Sequence, residues 1–519
     1  MKSRWNPEDA ARCDGALALR SYSSRLLGAE PSLVLHGGGN TSVKLRVPAL
    51  ADEGDVLYVK GSGSDLATVE PRDFAPLRLQ ELVSLLQREE LESNEMHALL
   101  ESMIAQHPSP KPSVETLLHA ALPFRYVEHT HADAVLAVAN TASGERILGN
   151  VYGDLAPVVP YRHSGFDLAR ASVAAFRAHA TDRTIGLVLR FHGVVAFADD
   201  ARASYENMMR LAALAEAYLD ARGAWTLPAA SIAAAAPDRI AIASLRTSIC
   251  RAFGFPLVMQ VARDPFALHF ASRADLEELC SQGPATPQHA VFARRVPLVG
   301  DAVELYVAAY RAFLAASLPT ADAARMDPTP RIVVHRDIGV CALGVNAEYA
   351  RITGEIFRHD MEVMVRAQAH DRYRSAPAPL IARAELEYGG FEARERHLAG
   401  SSKPLLGQIA LVTASAAEAE PMRVESLLAL GAAVAIAGRS AVGWSAHGAG
   451  LREFPLETDT PSAWEALLDE IVLAFGGLDL LVTTADQAGV AQRCTPLLAL
   501  SPVDGQHVGP ANNGSHSRG

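Results

Sequence analysis

The sequence predicts an α/β protein built from several domains. Short apolar runs of strand type alternate with segments of helical periodicity along most of the 519 residues. Towards the C-terminus the predicted strands are 408–413, 433–437 and 478–483, separated by helices at 422–430 and 464–475. This alternating order is typical of a parallel sheet. The length accommodates two to four domains, and a hydrophobic content of 49% is enough for sizeable cores.

Composition argues against several classes of partner. The formal net charge is −12 and no long basic run offsets it, so we expect no nucleic-acid partner. No run of about 18 apolar residues is present, and the polar N-terminus lacks the apolar core of a signal peptide. The five cysteines are far apart and form no CxxC pair. We therefore expect a cytoplasmic protein without a membrane partner.

Two stretches rich in alanine and proline divide the chain. The first is 227–237, and the second begins near residue 375 and continues as a predicted linker to residue 403. The middle segment carries no recognisable chemical constellation, so we interpret it as a packing or association domain. The predicted domains are residues 1–226, 238–374 and 404–500, followed by a disordered tail at 501–519.

Two glycine-rich segments occur early in the first domain. The segment 36–42 separates predicted strands at 33–35 and 43–47, and the segment 60–65 follows a strand at 56–59. Glycines let backbone amides approach an anion closely. Each segment taken alone is most simply a hairpin turn, but the two together suggest a phosphate cradle. Neither matches a dinucleotide or Walker fingerprint.

Between these segments and the candidate site, residues 74–103 are rich in leucine and glutamate. Their periodicity predicts an amphipathic helix, with the charges on a solvated face.

The stretch 111–133 contains a candidate catalytic carboxylate and two candidate metal-binding histidines. Pro112 and Ser113 predict a helix start with Ser113 as the N-cap, which places Glu115 in the first turn. A strand follows, and residues two apart on a strand point to the same side. His129 and His131 therefore project together, as two metal ligands must.

The best candidate for a third ligand is His192, which follows the apolar run 185–191 and precedes a glycine. Considered without the other two histidines, His192 would be interpreted as a core residue. With His129 and His131 it predicts a three-histidine site that leaves coordination positions open for substrate. The loop 161–166 also contains a histidine, which we interpret as exposed, and Asp199 or Asp200 is expected to cap a helix reaching residue 222.

Five motifs, in the order GGGNTS, KGSGSD, KPSVETLLH, EHTHAD and RFHGVV, make the first segment resemble the class II aldolase family. The resemblance implies an α/β/α domain that binds zinc or another divalent metal and acts on a sugar phosphate. It implies Glu115 as the catalytic acid/base, His129, His131 and His192 as metal ligands, and Gly39, Asn40, Ser62, Gly63 and Ser113 as phosphate contacts. Many family members have a second serine where this chain has Val114.

The order of all three segments resembles larger fusion proteins in which a rhamnulose-phosphate aldolase precedes a short-chain dehydrogenase. The C-terminal part is then a partial Rossmann-like domain. The turn at 413–420, where such a domain needs glycines, has none and carries two glutamates. The last tyrosine is Tyr388 and the last lysine is Lys403, so the catalytic pair of that family is missing. We expect a truncated dehydrogenase part without NAD(P) or dehydrogenase activity.

The resemblance implies reversible cleavage of a ketose 1-phosphate, of rhamnulose 1-phosphate type, to dihydroxyacetone phosphate and a short aldehyde such as lactaldehyde. Glu115 would need a raised pKa to move the proton. The alternatives are a sugar-phosphate dehydratase of the same superfamily and a non-catalytic, adducin-like assembly protein. The resemblance also implies a homo-oligomer, a tetramer.

Overall fold

The computed structural model describes residues 1–51, 54–228, 236–389, 402–419, 421–438, 448–456, 458–483, 488–503 and 506–508. The chain divides into two compact units. The first unit contains residues 1–227, 282–288 and 359–380, and the second contains residues 228–281, 289–358 and 381–519.

Helices and strands alternate through both units. The helices are α1 Pro7–Ala11, α2 Gly15–Gly28, α3 Leu79–Leu85, α4 Ser93–Ser102, α5 Thr116–Ala121, α6 Asp133–Ala139, α7 Gly144–Tyr152, α8 Phe166–His179, α9 Ala201–Asp220, α10 Arg239–Phe253, α11 Pro265–Ala271, α12 Leu276–Ser281, α13 Pro287–Ala293, α14 Val303–Ser317, α15 Thr320–Ala323, α16 Ala347–His370, α17 Ala378–Tyr388, α18 Ala414–Ala419, α19 Pro421–Ala429, α20 Pro461–Phe475 and α21 Ala488–Leu498. The strands are β1 Asn40–Leu45, β2 Val56–Lys60, β3 Phe74–Arg78, β4 Tyr126–Thr130, β5 Val158–Val159, β6 Gly186–Leu189, β7 Gly193–Ala198, β8 Val258–Ala262, β9 Leu298–Val299, β10 Ile332–His335, β11 Gly339–Gly344, β12 Ile409–Thr413, β13 Ala433–Ala437, β14 Leu451–Phe454, β15 Leu480–Val482 and β16 Gln506–Val508.

The first unit is organised around a seven-stranded sheet of order β3-β2-β1-β4-β7-β6-β5. Its pairs are antiparallel except β5 with β6. The register places Asn40 opposite His129 and His129 opposite Val195. The start of β1, the end of β4 and the turn before β7 therefore lie side by side. Apolar side chains from the sheet, α5 and α8 form a core beneath them.

The second unit contains two sheets, one of order β8-β11-β10-β9 and one of order β14-β13-β12-β15-β16. Every pair in the five-stranded sheet is parallel, as the alternating sequence pattern predicted. A buried ion pair joins α10 to this sheet, because Arg246 donates to Asp479 at 3.1 and 2.7 Å. Burial makes this pair costly to break from one side.

Several sequence-based predictions of elements are confirmed. The helix at 347–370 and the strand at 433–437 have the predicted bounds. Asp200 caps α9 by accepting a hydrogen bond from the amide of Ala203 at 2.9 Å. The five cysteines form no disulfide. No helix in the described ranges is both long and apolar enough to cross a membrane.

Other predictions are wrong. The amphipathic helix expected within 74–103 is a strand and two helices, because residues 74–78 pair with β2. Residues 33–35 form no strand, and β1 begins at Asn40. The linker predicted from residue 375 to 403 contains α17, whose apolar side is buried.

The division into domains 1–226, 238–374 and 404–500 with a tail at 501–519 stays a prediction. Most of the first linker, at 229–235, lies outside the described residues, as does 390–401 in the second. Residues 509–519 of the tail also lie outside them, whereas Gln506–Val508 is a strand parallel to β15.

Candidate metal centre and active site

Three histidine side chains converge at one end of the first unit's sheet. The Nε2 atoms of His129 and His131 are 3.0 Å apart, and one ring nitrogen from each of His129, His131 and His192 lies within 4.8 Å of the others. All three side chains are buried. His129 lies in β4, His131 follows that strand directly, and His192 lies in the turn between β6 and β7. The predicted grouping of these residues is present in the structure.

A glycine lets the His192 turn approach β4. A Cβ atom at Gly193 would collide with the carbonyl oxygen of Thr130 and would lie 3.1 Å from ring carbons of both His129 and His131. The turn is closed by a hydrogen bond from the His192 amide to the Leu189 carbonyl oxygen at 3.0 Å. A side chain at position 193 would therefore displace the histidines.

The donor set suits a divalent metal. Nδ1 of His129 lies 3.1 Å from the Val194 carbonyl oxygen, so it carries the proton and leaves the lone pair of Nε2 facing the other imidazoles. Burial lowers the pKa of His129 to about 4, although the Glu115 carboxylate acts to raise it. A neutral ring is the form that binds metal. Three imidazoles are a ligand set that zinc takes in catalytic sites.

Glu115 lies against two of these rings. Its Oε1 is 3.0 Å from His192 Nε2, and its Oε2 is 3.5 Å from His129 Nε2. Asn40 Nδ2 donates to Oε2 at 2.7 Å, and Ser164 Oγ donates to Oε1 at 3.4 Å. Glu115, which is only 3% exposed, is thus held beside the histidines.

The expected raised pKa of Glu115 is wrong. Burial acts to raise this pKa, but the imidazoles of His129 and His192 and the hydrogen bonds from His192 and Asn40 lower it well below its usual range. This lowered pKa favours the carboxylate form of Glu115 and makes it a weaker base than a free glutamate.

The local structure around Glu115 also differs from the prediction. Helix α5 begins at Thr116, so Glu115 occupies the N-cap position and not the first turn. Ser113 is not the N-cap, although its Oγ accepts a hydrogen bond from the Glu115 amide at 3.3 Å. Ser113 closes the turn that carries Glu115 into the site.

Sequence inspection missed a buried histidine that orders this site. Nδ1 of His119 is 2.8 Å from Ser42 Oγ, and its Nε2 forms a short hydrogen bond with Asn40 Oδ1. Burial lowers the pKa of His119 to about 3, so the ring is neutral. Ser42 then donates to Nδ1, and Nε2 donates to Asn40. This fixes the Asn40 amide with its NH₂ group towards Glu115. One sequence feature could have identified His119. It lies four residues after Glu115, a spacing that places two side chains on the same side of a helical segment.

The predicted phosphate contacts occupy adjoining loops. Gly39 has a φ of 58°, and a Cβ there would lie 2.6 Å from the His129 carbonyl oxygen. Gly63 has a φ of 81° in an exposed turn beside Ser62. The Ser62 amide donates to the Lys111 carbonyl oxygen at 2.8 Å, which holds this turn against the segment of Ser113.

Asn40 is already engaged in the network described above. Its Nδ2 donates to Ser113 Oγ at 3.2 Å as well as to Glu115.

Sequence analysis assigned no role to two further residues near the site. Ser164 contacts Glu115, and Lys60 is buried between the glycine loops. His163, expected to be exposed, is buried.

Comparison with known proteins fits this geometry. Residues 21–219 match the family described as Class II Aldolase and Adducin N-terminal domain, and residues 236–394 match Aldolase class II, second domain. A protein of Bacillus subtilis named uncharacterized oxidoreductase YuxG is 27% identical over 527 residues, spanning 94% of this chain and 75% of that protein.

Solved structures of class II aldolases are also similar to the first segment. The N-terminal class II aldolase domain of a conserved Thermoplasma acidophilum protein is 34% identical, covering 42% of this chain and 99% of that one, with a TM-score of 0.39. The L-fuculose-1-phosphate aldolase of Thermus thermophilus is 19% identical, covering 40% and 97%, with a TM-score of 0.27. The chain therefore contains the two class II aldolase family domains that these models describe, at residues 21–219 and 236–394.

Proposed function

We propose that the protein is a metal-dependent lyase that reversibly cleaves a ketose 1-phosphate, of rhamnulose 1-phosphate type, to dihydroxyacetone phosphate and a short aldehyde such as lactaldehyde. One observation carries the proposal: three buried imidazoles converge beside the carboxyl group of Glu115, in a domain that matches the class II aldolase family. The location is proposed to be the cytoplasm, and the protein is proposed to be a homo-oligomer.

His129, His131 and His192 would hold the metal, for which we propose zinc. When bound there, zinc supplies Lewis-acid stabilisation of the negative charge that develops on the substrate oxygens. Glu115 supplies the proton transfer. In the synthesis direction its carboxylate removes a proton from C3 of dihydroxyacetone phosphate, and in the cleavage direction it returns that proton to C3.

Cleavage conserves protons and electrons. The C4 hydroxyl gives its proton to the Glu115 carboxylate, the C3–C4 bond breaks, and C4 becomes the aldehyde carbon. The electron pair of the broken bond stays on C3 of the dihydroxyacetone phosphate half, and Glu115 returns the proton to C3. Hydrogen bonds from Asn40 and Ser164 orient the Glu115 carboxylate for its step. Because Glu115 is almost fully buried, water competes poorly for the proton.

We propose that the phosphate is bound by Gly39, Ser62, Gly63 and Ser113 with Asn40. Backbone amides and small hydroxyl groups at such loops are typical phosphate donors. Both amide hydrogens of Asn40 are used within the site, so a phosphate contact would replace its hydrogen bond to Ser113. Val114 offers no hydroxyl group.

The direct test is to incubate the zinc-loaded protein with dihydroxyacetone phosphate and a panel of short aldehydes, and to analyse the products for ketose phosphates. Glu115→Gln should keep zinc but lose turnover by about 100-fold or more. Glu101→Gln, which changes an exposed carboxylate on α4, is the matched control. Unchanged aldol turnover in Glu115→Gln would remove that residue from the mechanism.

The same preparation separates the alternatives. A dehydratase of this superfamily would release water from a sugar phosphate and form no new carbon–carbon bond with aldehydes. An adducin-like assembly protein would purify without zinc and would tolerate substitution of His129.

We propose that the five-stranded parallel sheet belongs to a Rossmann-like domain that does not bind NAD(P). The strand order and parallel pairing support the fold. The sequence 413–420 after β12 contains no glycine and two glutamates, which opposes pyrophosphate binding. Titration of the protein with NADH and NADPH should leave cofactor fluorescence unchanged. Saturable binding would contradict this and would support an oxidoreductase role like that in the name of the Bacillus relative.

A further inference from the structure

Two segments of the second family domain fold together with the unit that contains the candidate metal centre. Residues 236–394 match that domain, yet residues 282–288 and 359–380 belong to the first compact unit. The later of these segments includes the C-terminal half of α16. The second family domain can therefore contact the elements that carry the candidate metal ligands.

Helix α6 directly follows one of these ligands. Only Ala132 separates His131 from Asp133, the first residue of α6. All seven residues of α6 are buried. Because packed interiors yield little, the position of the first turn of α6 restricts the backbone from which His131 projects.

A histidine of the second family domain holds the first residue of α6. His359 Nδ1 lies 2.6 Å from Asp133 Oδ2, and the Asp133 side chain is almost fully buried. A carboxylate oxygen accepts, so the imidazole donates from Nδ1. The Asp133 amide in turn donates to the Ser32 carbonyl oxygen at 2.8 Å. Both the side chain and the backbone of Asp133 are thus fixed.

The other end of α6 is bound by the same domain. Asn140, which follows α6, donates from Nδ2 to the Ala285 carbonyl oxygen at 2.6 Å, and its carbonyl oxygen accepts from the Arg374 amide at 2.8 Å. The Ala285 amide donates to Asp360 Oδ1 at 2.7 Å, beside His359 in the chain. Both segments of the second family domain therefore take part in holding α6.

The pair of His359 and Asp133 has a consequence for the metal site. A buried ion pair adds little net stability, because both groups lose their hydration. This pair lies two residues after His131, so it restricts the segment 131–133 and with it the direction of the His131 ring. Removing a group that fixes a metal ligand typically lowers metal affinity by about 10- to 100-fold.

We propose that His359 is a positioning residue of the metal centre, which acts through Asp133 to keep His131 directed at the metal. The inference rests on the proposed function, because it takes His131 to be a metal ligand. It gives the second family domain, which shows no chemical constellation in its sequence, a part in the metal site of the first domain.

His370 provides a matched control. It also lies in α16 and is half-buried, as His359 is. It also contacts α6, because its Nε2 donates to the Ala137 carbonyl oxygen at 3.1 Å. Ala137 lies about one helical turn after Asp133, further from His131 in the chain. Leucine at either position removes one imidazole and one hydrogen bond to α6, so a purely structural role predicts similar effects of the two changes.

The test is a competition titration in which the protein and a chelator share zinc. His359→Leu should weaken zinc binding by about tenfold or more, whereas His370→Leu should bind zinc as the unsubstituted protein does. His359→Asn should recover most of the affinity, because its amide places an N–H group near the position of Nδ1. Zinc affinity that is unchanged in His359→Leu, or reduced equally in both leucine variants, would overturn the proposal.

A second measurement avoids the risk that His359→Leu does not fold. In the unsubstituted protein labelled with ¹⁵N-histidine, added zinc should shift the ring resonances of His359 and leave those of His370 in place. Unmoved His359 resonances at saturating zinc would overturn the proposal. A protein that binds no zinc would overturn it together with the metal-dependent part of the proposed function. Zinc binding without any His359 effect would overturn the His359 assignment alone.

Discussion

Replacing His119 with leucine would remove one buried side chain and leave two buried groups without partners. Asn40 Oδ1 would lose its donor and Ser42 Oγ would lose its acceptor. A buried polar group without a partner costs about 1–3 kcal/mol. We therefore expect His119→Leu to reduce the free energy of local opening at this end of the sheet by about 2–5 kcal/mol.

Hydrogen exchange in β1 and β4 measures this loss. A reduction of about 3 kcal/mol should accelerate exchange of the protected amides by roughly 100-fold. Ser42→Ala is the control, because it leaves only the Nδ1 atom of His119 unpaired. The double variant should lose less than the sum of the single losses, since both act on one hydrogen bond.

His119→Leu should also lower the turnover rate. Without His119, the Asn40 amide is free to rotate away from Glu115, and turnover should fall by about tenfold or more, the worth of one hydrogen bond to a charged group. Exchange in β1 and β4 that is unchanged in His119→Leu would refute this account of how Glu115 is held.

Three further predictions concern other parts of the chain. Because a Cβ at Gly193 collides with the Thr130 carbonyl oxygen, Gly193→Ala should lower the zinc content per chain, and full zinc content would contradict this. Arg246→Met leaves the Asp479 carboxylate buried without its cation, so urea denaturation should show a loss of about 3–5 kcal/mol, and a loss below 1 kcal/mol would contradict the structure. Burial raises the pKa of Glu385 from 4.5 to about 7, so the folded state holds a proton that the unfolded state has released between these pH values. The second unit should lose about 3 kcal/mol of stability as the pH rises from 4.5 to 7, and Glu385→Gln should flatten this slope, whereas an unchanged slope would exclude the residue as its source.

Local geometry made part of the site predictable. His129 and His131 share one side of a strand because side chains alternate along it. His192 was inferred from its place at a strand end and from the need for a third ligand. Its distance from His129 depends on the pairing of β4 with β7, which the sequence does not display. His192 was therefore predicted from the ligand requirement of a metal site and not from sequence periodicity.

The rest of the site depends on contacts between distant segments. The low pKa of Glu115 follows from imidazoles that come from β4 and from the turn before β7. The role of His119 follows from the register of β1 with β4, which brings Asn40 beside the site. No local pattern encodes such distances.

The mistaken helix has a similar cause. Residues 74–78 begin a segment with helical periodicity, yet they form a strand because β2 offers an antiparallel partner. Tertiary pairing here overrides local preference, which is the usual limit of propensity arguments. The C-terminal parallel sheet was easier to predict, since its buried strands are continuous apolar runs.

The central claim is that three imidazoles hold one divalent metal beside Glu115. X-ray absorption at the zinc edge, combined with metal analysis of purified protein, tests it most directly. The account predicts about one zinc per chain with histidine nitrogens at about 2.0–2.1 Å, and loss of that signal in both His129→Ala and His192→Ala. Zinc bound through sulfur ligands, or zinc content unchanged in either variant, would contradict it.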